Sequence, residues 1–491
     1  MITNKAALLV TLVLCLVTFS AQINSAQAEP LPKQGGDKDN STREEKTHQV
    51  PLPRQIDDDE NFVVIISIDG FPASALWNKQ VAVPVIRELA EKGTWAKGLV
   101  PSTPSVTWPN HTTLVTGVHP EKHGMLTNGR LTRTTDGTSI IRETDLDREE
   151  MSSYPTLYDL ASSAGLKTAG INWPVTRNTG SLHYNLADAP YAVENATPEL
   201  RSELLEVGLL EDETTATLNQ LGAVARDHAW TQMAAHLIRN HRPNVLLFHL
   251  LNTDGMHHRY GKESWPGNTA LAYADMLVRD LLDALDDAGI RDQSTIFIVS
   301  DHGFMNVTKQ IRPNVLLRRE GLLETGERNT IVNARVQAMG SGGIAMIYAG
   351  DPSTKEEDME QVRAMFEGVE GIHRILAPDE YEAFGMPLPS DNAQMGDLVL
   401  AASDGYAFSG AAGGEEVVVT LDGTAGVHGY LNDNPQMEAV FVASGRGIRS
   451  GVELDRVDNR SVAPTAARLL GLTLKTADGR VLDEILELEI P

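Results

Sequence analysis

The chain has 491 residues and a formal net charge of −26, with 67 acidic against 41 basic residues. This acidic excess excludes a broad basic surface of the kind that binds a nucleic-acid duplex. The length allows one large domain with a smaller one, at roughly 100–200 residues per domain, and the hydrophobic fraction of 41% is enough for a substantial core.

The N-terminus has the features of an export signal. An apolar run over 6–19 follows Lys5, is short for a membrane span, and precedes an A-x-A site that ends at Ala28. We therefore predict a signal peptide over 1–28, an exported (periplasmic or secreted) protein, and no stable membrane span after cleavage. A retained anchor helix is the alternative interpretation.

Cysteine usage and the following segment limit the chemistry further. Cys15 is the only cysteine and lies inside the signal, so a mature chain would have neither a thiolate nucleophile nor a thiolate zinc site. Residues 29–60 are polar, charged and proline-bearing, which predicts a disordered linker. The acidic run 57–60 within it is typical of a solvated charge run rather than of a calcium site.

From residue 61 to about 306, apolar runs of strand length alternate with helical patterns. Strands are predicted at 61–69, 167–172, 244–250 and 294–300, and again at 437–444. Helices are predicted at 83–92, 154–164, 215–240, 267–288 and 460–470. This alternation predicts an α/β fold, a doubly wound, mostly parallel sheet with helices on both faces.

The pattern changes after about residue 306. Two strands are predicted within 330–348 with a glycine-rich turn between them, then a helix at 354–366 and strands at 372–376 and 397–402. We predict a small α+β cap over 321–394. The catalytic domain would then consist of 61–320 and 395–491.

The segment 101–124 places a hydroxyl, Thr107, just before a predicted short helix with Pro109 in its first turn. The unpaired N–H groups and the positive dipole end of a helix favour a phosphate or an alkoxide at such a position. On this segment alone, a helix cap is the more usual role for a threonine at this position.

Carboxylates and imidazoles recur at the ends of predicted strands. They are Asp69, Asp254 with His258, Asp301 with His302, and His428. The carboxyl ends of parallel strands meet at one sheet edge, so the fold would gather most of these side chains. Three carboxylates and three imidazoles suit two zinc-like ions, although each pair alone also fits a structural role.

Six motifs together carry a family resemblance: IISIDGF, SVTWPNH, TGVHPEKHG, TDGMHHRYG, VSDHGF and GVHGY. As an ordered set they resemble the nucleotide pyrophosphatase/phosphodiesterase (type I phosphodiesterase) branch of the alkaline phosphatase superfamily, over about 61–305 and 395–447. Pro72 departs from the pattern, since many relatives have a basic residue there.

The resemblance implies two Zn²⁺ ions, or Mn²⁺ in their place, and a phosphothreonine intermediate on Thr107. Asn110 is implied to donate to a phosphoryl oxygen. The ligands implied for one ion are Asp254, His258 and His428, and those for the other are Asp69, Asp301, His302 and Thr107. His257, next to His258, is the alternative imidazole ligand.

The expected substrate is a small phosphodiester or nucleotide. Trp108 and Trp173 are predicted to contact it, with packing of the loop as the alternative for Trp108. The loop 101–117 has no basic residue besides His111, which favours diesters over monoesters. Alternatives are a phosphonate (phosphonoacetate-like) hydrolase, a phosphomonoesterase and, from another class, a non-catalytic binding protein. Other basic residues that could reach the site are Arg130, Arg133 and Lys262.

Overall fold

The structure is a computed structural model that describes residues 61–134, 140–212 and 214–487. The predicted signal peptide and linker lie outside the described residues. Within those residues, no helix combines the length and the apolar character needed to cross a bilayer.

The described strands, in chain order, are β1 Phe62–Ile68, β2 Thr94–Val100, β3 Arg130–Arg133, β4 Ile140–Glu143, β5 Thr168–Pro174, β6 Tyr184–Asp188, β7 Val245–Leu250, β8 Ser294–Val299, β9 Met305–Ile311, β10 Leu323–Thr325, β11 Ile331–Ala334, β12 Val336–Ser341, β13 Ile344–Ala349, β14 Ile372–Leu376, β15 Leu398–Ala402, β16 Tyr406–Phe408, β17 Val418–Val427, β18 Phe441–Gly445 and β19 Val452–Asp458. The described α-helices are α1 Pro84–Lys92, α2 Thr107–Thr116, α3 Pro120–His123, α4 Arg148–Met151, α5 Leu157–Ser163, α6 Pro198–Glu206, α7 Thr215–Gln220, α8 Ala223–His241, α9 Asn252–Tyr260, α10 Trp265–Asp287, α11 Pro313–Arg319, α12 Lys355–Phe366 and α13 Val462–Leu469.

An eight-stranded sheet in the order β19-β2-β18-β8-β1-β7-β5-β6 forms the centre of the fold. All of its strands run parallel except β18, which pairs antiparallel with both β8 and β2. The predicted α/β class with a mostly parallel sheet is confirmed.

Both faces of this sheet are covered, which is why β1 reads as a continuous apolar run. Phe62, Val64 and Ile66 join a core with α1, α6, α8 and α10. Val63 and Ile65 point to the opposite side, into a core with α2, α5 and α13. The sheet therefore has a helical layer on each side, and β1 lies in the middle of it.

A second sheet, in the order β12-β13-β15-β14, is antiparallel and packs with α12. Of the turn predicted at 340–343, residues 342–343 join β12 to β13, while 340–341 belong to β12. The strand predicted at 372–376 is β14. β15, at 398–402, pairs with both β13 and β14, so strands from either side of residue 395 share this sheet.

The helix predicted over 215–240 is two helices, α7 and α8. Leu221 and Gly222 both have extended backbone, with ψ angles of 141° and 159°, which ends α7 and provides the N-cap of α8. Strands β2 and β19 were not predicted, because both are only partly buried and lack a continuous apolar run.

Candidate active site

Thr107 is the first residue of α2 and is 6% exposed. The N-cap is Val106, which has no side-chain hydroxyl, so the capping alternative for Thr107 is wrong. The Thr107 hydroxyl hydrogen-bonds to no residue in the described parts of the chain. The first turn of α2 thus presents an unpaired hydroxyl beside the positive end of the helix dipole.

Asp69, Asp301 and His302 form the first of two ligand triads, at the ends of the neighbouring strands β1 and β8. His302 Nε2 lies 3.4 Å from Asp69 Oδ1 and 3.0 Å from Asp301 Oδ2, and all three side chains are fully buried. The turn after Asp69 needs glycine, because Gly70 has φ +66° and a Cβ there would lie 2.3 Å from Phe304.

Asp254, His258 and His428 form the second triad. Asp254 and His258 are one turn apart on α9, 3.2 Å from each other, so helical spacing rather than a loop aligns them. His428 directly follows β17, with Nε2 3.5 Å from Asp254 Oδ1 and 3.2 Å from His258 Nε2. The rings of His428 and His302 stack at 3.6 Å, which makes the triads neighbours.

The ring orientation of the three triad histidines fits metal ligands. The Nδ1 atoms of His258, His302 and His428 lie 2.9, 3.1 and 2.9 Å from the backbone carbonyls of Gly426, Gly303 and Ser105. Nδ1–H therefore donates to the backbone, and each Nε2 lone pair is left for another group. Metal-bound histidines typically have this outer hydrogen bond, which fixes the ring.

The buried carboxylates of the two triads also favour binding of a cation. Burial and the neighbouring carboxylates of Asp301 and Asp254 raise the pKa of Asp69 well above its usual value. Asp69 Oδ1, Asp254 Oδ1 and Asp301 Oδ2 are buried without a hydrogen-bond donor among the described residues. Buried unpaired carboxylate oxygens are costly unless a metal or another cation meets them. The side chains present therefore fit divalent ions.

His257 has a different role from His258. Its Nδ1–H donates to the backbone oxygen of Gly70 at 3.1 Å, so it supports the turn after Asp69. The structure places His258, not His257, beside Asp254 and His428.

Two further buried histidines lie behind the first triad. His249 Nε2 is 3.1 Å from Asp69 Oδ2, and its Nδ1 is 3.0 Å from the Asn172 oxygen. The His111 Nδ1–H donates to the Thr107 oxygen at 2.8 Å, and its ring lies 4.2 Å from that of His249. His111 and His249 therefore connect the backbone of Thr107 to the side chain of Asp69. His249 was not predicted, because a histidine inside an apolar strand run has no motif around it.

Asn110 does not face the site. Its amide nitrogen donates to the Pro104 and Val106 oxygens at 3.0 and 2.9 Å, and its oxygen accepts from Ser102 N and Asn459 Nδ2. Both N–H groups are used and the side chain is 0% exposed, so the predicted donation to a phosphoryl oxygen is incompatible with the structure. Asn110 shapes the loop before α2.

Trp108 and Trp173 are not free to stack on a substrate. Trp173 is 0% exposed and packs edge-on against His111 at 4.8 Å, inside one of the sheet cores. Trp108 is 8% exposed, packs with Met125 and Met151, and donates Nε1–H to Asp188 at 3.1 Å. The substrate contacts predicted for these residues do not match the structure, and the packing alternative for Trp108 does.

A cavity of about 170 Å³ adjoins the second triad. Asn128 lines it, and its oxygen accepts from Trp108 N at 2.8 Å, which leaves its amide nitrogen for a group in the cavity. Arg142, an exposed residue of β4, lines the same cavity. Neither residue was predicted, since Asn128 belongs to a loop and Arg142 to a short hairpin strand without a motif.

The basic residues named from the sequence are engaged elsewhere. Arg133 pairs with Asp397 at 3.0 Å, Arg130 donates to the Glu150 oxygen, and Lys262 donates to Gln436. Among the residues that line the cavity, Arg142 supplies the positive charge.

The chain is similar to a family of known proteins. Residues 63–431 match the model of the family described as type I phosphodiesterase / nucleotide pyrophosphatase. The chain belongs to this family. The predicted membership of the nucleotide pyrophosphatase/phosphodiesterase branch of the alkaline phosphatase superfamily is thereby confirmed, and the family consists of hydrolases.

Individual relatives are distant. The chain is 24% identical to human ectonucleotide pyrophosphatase/phosphodiesterase family member 1 over 429 residues, which are 84% of this chain and 40% of the human protein. It therefore spans about two fifths of that relative's length. An uncharacterized pyrophosphatase/phosphodiesterase of Schizosaccharomyces pombe is 23% identical, with 86% of this chain and 79% of the relative covered.

Solved structures share the fold. Human ectonucleotide pyrophosphatase/phosphodiesterase 5 superposes with a TM-score of 0.64 at 17% identity, over 87% of this chain and all of that one. The murine form, as an inactive threonine-to-alanine variant in complex with AMP, has a TM-score of 0.61 at 16% identity, with the same coverage.

Proposed function

We propose that this protein is an exported, two-metal phosphodiesterase/nucleotide pyrophosphatase that hydrolyses phosphate diesters through a phosphothreonine intermediate on Thr107. The observation that carries the proposal is the pair of adjacent triads, whose histidine Nε2 lone pairs face carboxylate oxygens. The helix that begins at Thr107 reaches them, because His111 Nδ1 lies 3.9 Å from Asp301 Oδ2 and 2.8 Å from the backbone oxygen of Thr107. The proposed ions are Zn²⁺, with Mn²⁺ able to replace them. Asp254, His258 and His428 would hold one ion, and Asp69, Asp301, His302 and Thr107 the other.

The chemistry follows from the residues around the hydroxyl. Divalent ions at the triads would supply Lewis-acid stabilisation of negative charge, which lowers the pKa of a hydroxyl or of water. The Thr107 Oγ1–P bond forms as the ester P–O bond breaks, and the alcohol leaves with a proton. Water then breaks the Oγ1–P bond, which releases a phosphomonoester and restores the hydroxyl. The hydrogen bond from His111 Nδ1–H to the backbone carbonyl oxygen of Thr107 holds the attacking residue in place.

Asn128 is proposed as the amide that donates to a non-bridging phosphoryl oxygen. Since its oxygen is held by Trp108 N, its nitrogen is oriented before substrate arrives. Loss of one such preorganised donor costs about 10²–10³ in kcat, so we expect this loss in Asn128→Ala with bis(p-nitrophenyl) phosphate.

The matched control for Asn128 is Asn110→Ala, the residue named from the sequence. That change leaves the buried Ser102 N–H without its acceptor, at a cost of about 1–3 kcal/mol of stability. We expect a lower melting temperature without a specific loss of kcat in the folded fraction. A large loss of kcat in folded Asn110→Ala, with kcat of Asn128→Ala unchanged, would instead assign the donor role to Asn110.

Arg142 is proposed to bind an additional anionic group of the substrate, such as the next phosphate of a nucleotide. A hydrogen bond to a charged group contributes about 1.5–3 kcal/mol, so Arg142→Ala should raise KM for a nucleoside triphosphate roughly tenfold or more. KM for bis(p-nitrophenyl) phosphate should stay near the wild-type value. Arg130→Ala, which removes an exposed arginine on the same hairpin, is the control. Equal effects of Arg142→Ala on both substrates would contradict this role.

Arg142 is the observation that favours a second candidate function, hydrolysis of a phosphonate or of a phosphomonoester. An arginine in the cavity suits the carboxylate of a phosphonate substrate or the extra negative charge of a monoester. A panel with a diester, a monoester, a nucleoside triphosphate and a phosphonate at fixed zinc separates the candidates. We expect the diester and the triphosphate to turn over fastest. Much faster turnover of the monoester would overturn the branch of activity proposed here, and no turnover of any member would indicate a binding protein.

A further inference from the structure

A third group of ligand-type side chains lies outside both triads, between α6 and α8. It consists of Glu203 on α6 with His236 and His241 on α8, and their ligand atoms all lie within 4.8 Å of one another. His236 Nε2 is 2.7 Å from Glu203 Oε1, and His241 Nε2 is 2.8 Å from Glu203 Oε2. We propose that these three residues bind a further divalent cation, Zn²⁺ or a metal of similar preference, that plays no part in hydrolysis.

The donor types and their arrangement support a metal. Two imidazole nitrogens and one carboxylate form a mixed N/O set that zinc accepts, and water can complete a tetrahedron. The side chains are 16–27% exposed, so a fourth position can reach solvent and the cost of moving an ion to the site is modest. His241 is the last residue of α8, where the negative end of the helix dipole favours a cation.

Both rings are held so that Nε2 faces the carboxylate. The Asn240 amide lies 3.1 Å from His236 Nδ1 and donates to the His236 oxygen, and the Tyr184 ring packs 4.3 Å from that of His241. This outer support orients the ligand nitrogens without an ion. An ion would exchange the two Nε2–H···O hydrogen bonds for coordination bonds.

The consequence for the fold is a cross-link. Glu203 is 33 residues from His236 and 38 from His241, so an ion here joins two helices far apart in the chain. Both helices contribute to the core on the same face of the central sheet. We therefore expect the site to raise stability and leave chemistry at Thr107 unchanged.

The test is metal content of the full-length protein. After chelator treatment the chain is loaded with Zn²⁺ as the sole metal, and zinc per chain is measured by mass spectrometry of the elements. The double variant His236→Gln/His241→Gln should hold one zinc per chain fewer than wild type, and the zinc-dependent rise of its melting temperature should be smaller. Its diester turnover should stay within about twofold of wild type, because none of the three residues belongs to either triad.

Two further variants serve as controls for this experiment. His228→Gln changes an exposed histidine on the same helix and should leave zinc content unchanged. Glu203→Gln keeps the size of the side chain and both imidazoles, so it tests the site if the double variant fails to fold; it should also lose one zinc. If the double variant or Glu203→Gln holds as much zinc as wild type, the three residues form only a hydrogen-bonded cluster of imidazoles and a carboxylate. That result would overturn the proposal.

Discussion

Thr107→Ala is expected to reduce turnover of bis(p-nitrophenyl) phosphate by ~10³-fold or more, since loss of a covalent nucleophile removes the reaction path itself. The fold should be unaffected, because the Thr107 hydroxyl makes no hydrogen bond within the described residues and the helix cap is Val106. The variant should still bind two metal ions, as six of the seven proposed ligands remain. Steady-state kinetics together with metal analysis measure both expectations.

Thr107→Ser is the matched control for this prediction. It keeps the hydroxyl and loses only a methyl group, so it should retain a substantial fraction of kcat. Rapid acid quench of the wild type and of Thr107→Ser should trap a phosphoryl group that still carries one p-nitrophenyl ester on residue 107, while Thr107→Ala should trap none. An alanine variant that keeps more than a few per cent of wild-type activity would show that another group attacks phosphorus.

Removal of the metal ions is expected to stop the reaction. Chelation should abolish diester hydrolysis, and Zn²⁺ should restore it, because the hydroxyl of Thr107 has no base within hydrogen-bonding distance among the described residues. Chelation should also lower the melting temperature, since binding to the folded state stabilises it by mass action. Without a cation, burial and neighbouring carboxylates raise the pKa of Asp69 well above its usual value, which marks the repulsion that an ion would relieve.

Asp254→Asn tests this prediction at one triad. It removes the carboxylate that lies between His258 and His428, so we expect weaker binding of one metal ion and a large loss of kcat. Asp188→Asn is the control, because Asp188 is a half-buried carboxylate that accepts from Trp108 and belongs to neither triad. Activity that survives complete chelation, confirmed by metal analysis, would contradict a metal-dependent mechanism.

Much of the fold and the family could be predicted from the sequence, and the reasons are local. Strand β1 lies between two helical layers and must be apolar at every position, so the run that ends at Asp69 was visible without coordinates. Asp254 and His258 are four residues apart, so the pair was also visible in the sequence, although the helix α9 that aligns them was not predicted. The sheet of the cap was less predictable, because β15 pairs with β13, and the paired residues of β13 precede those of β15 by 50 residues or more.

The sheet class, the family, the candidate ligands and the candidate nucleophile could all be predicted from the sequence, because apolar runs and short motifs reflect what each segment needs locally. Which side chains line the cavity depends on the tertiary structure. Asn110 and Trp173 turn into the protein, while Asn128 and Arg142 reach the cavity from a loop and a hairpin. The direction of a side chain depends on the packing of distant segments around it, and no local pattern encodes that direction.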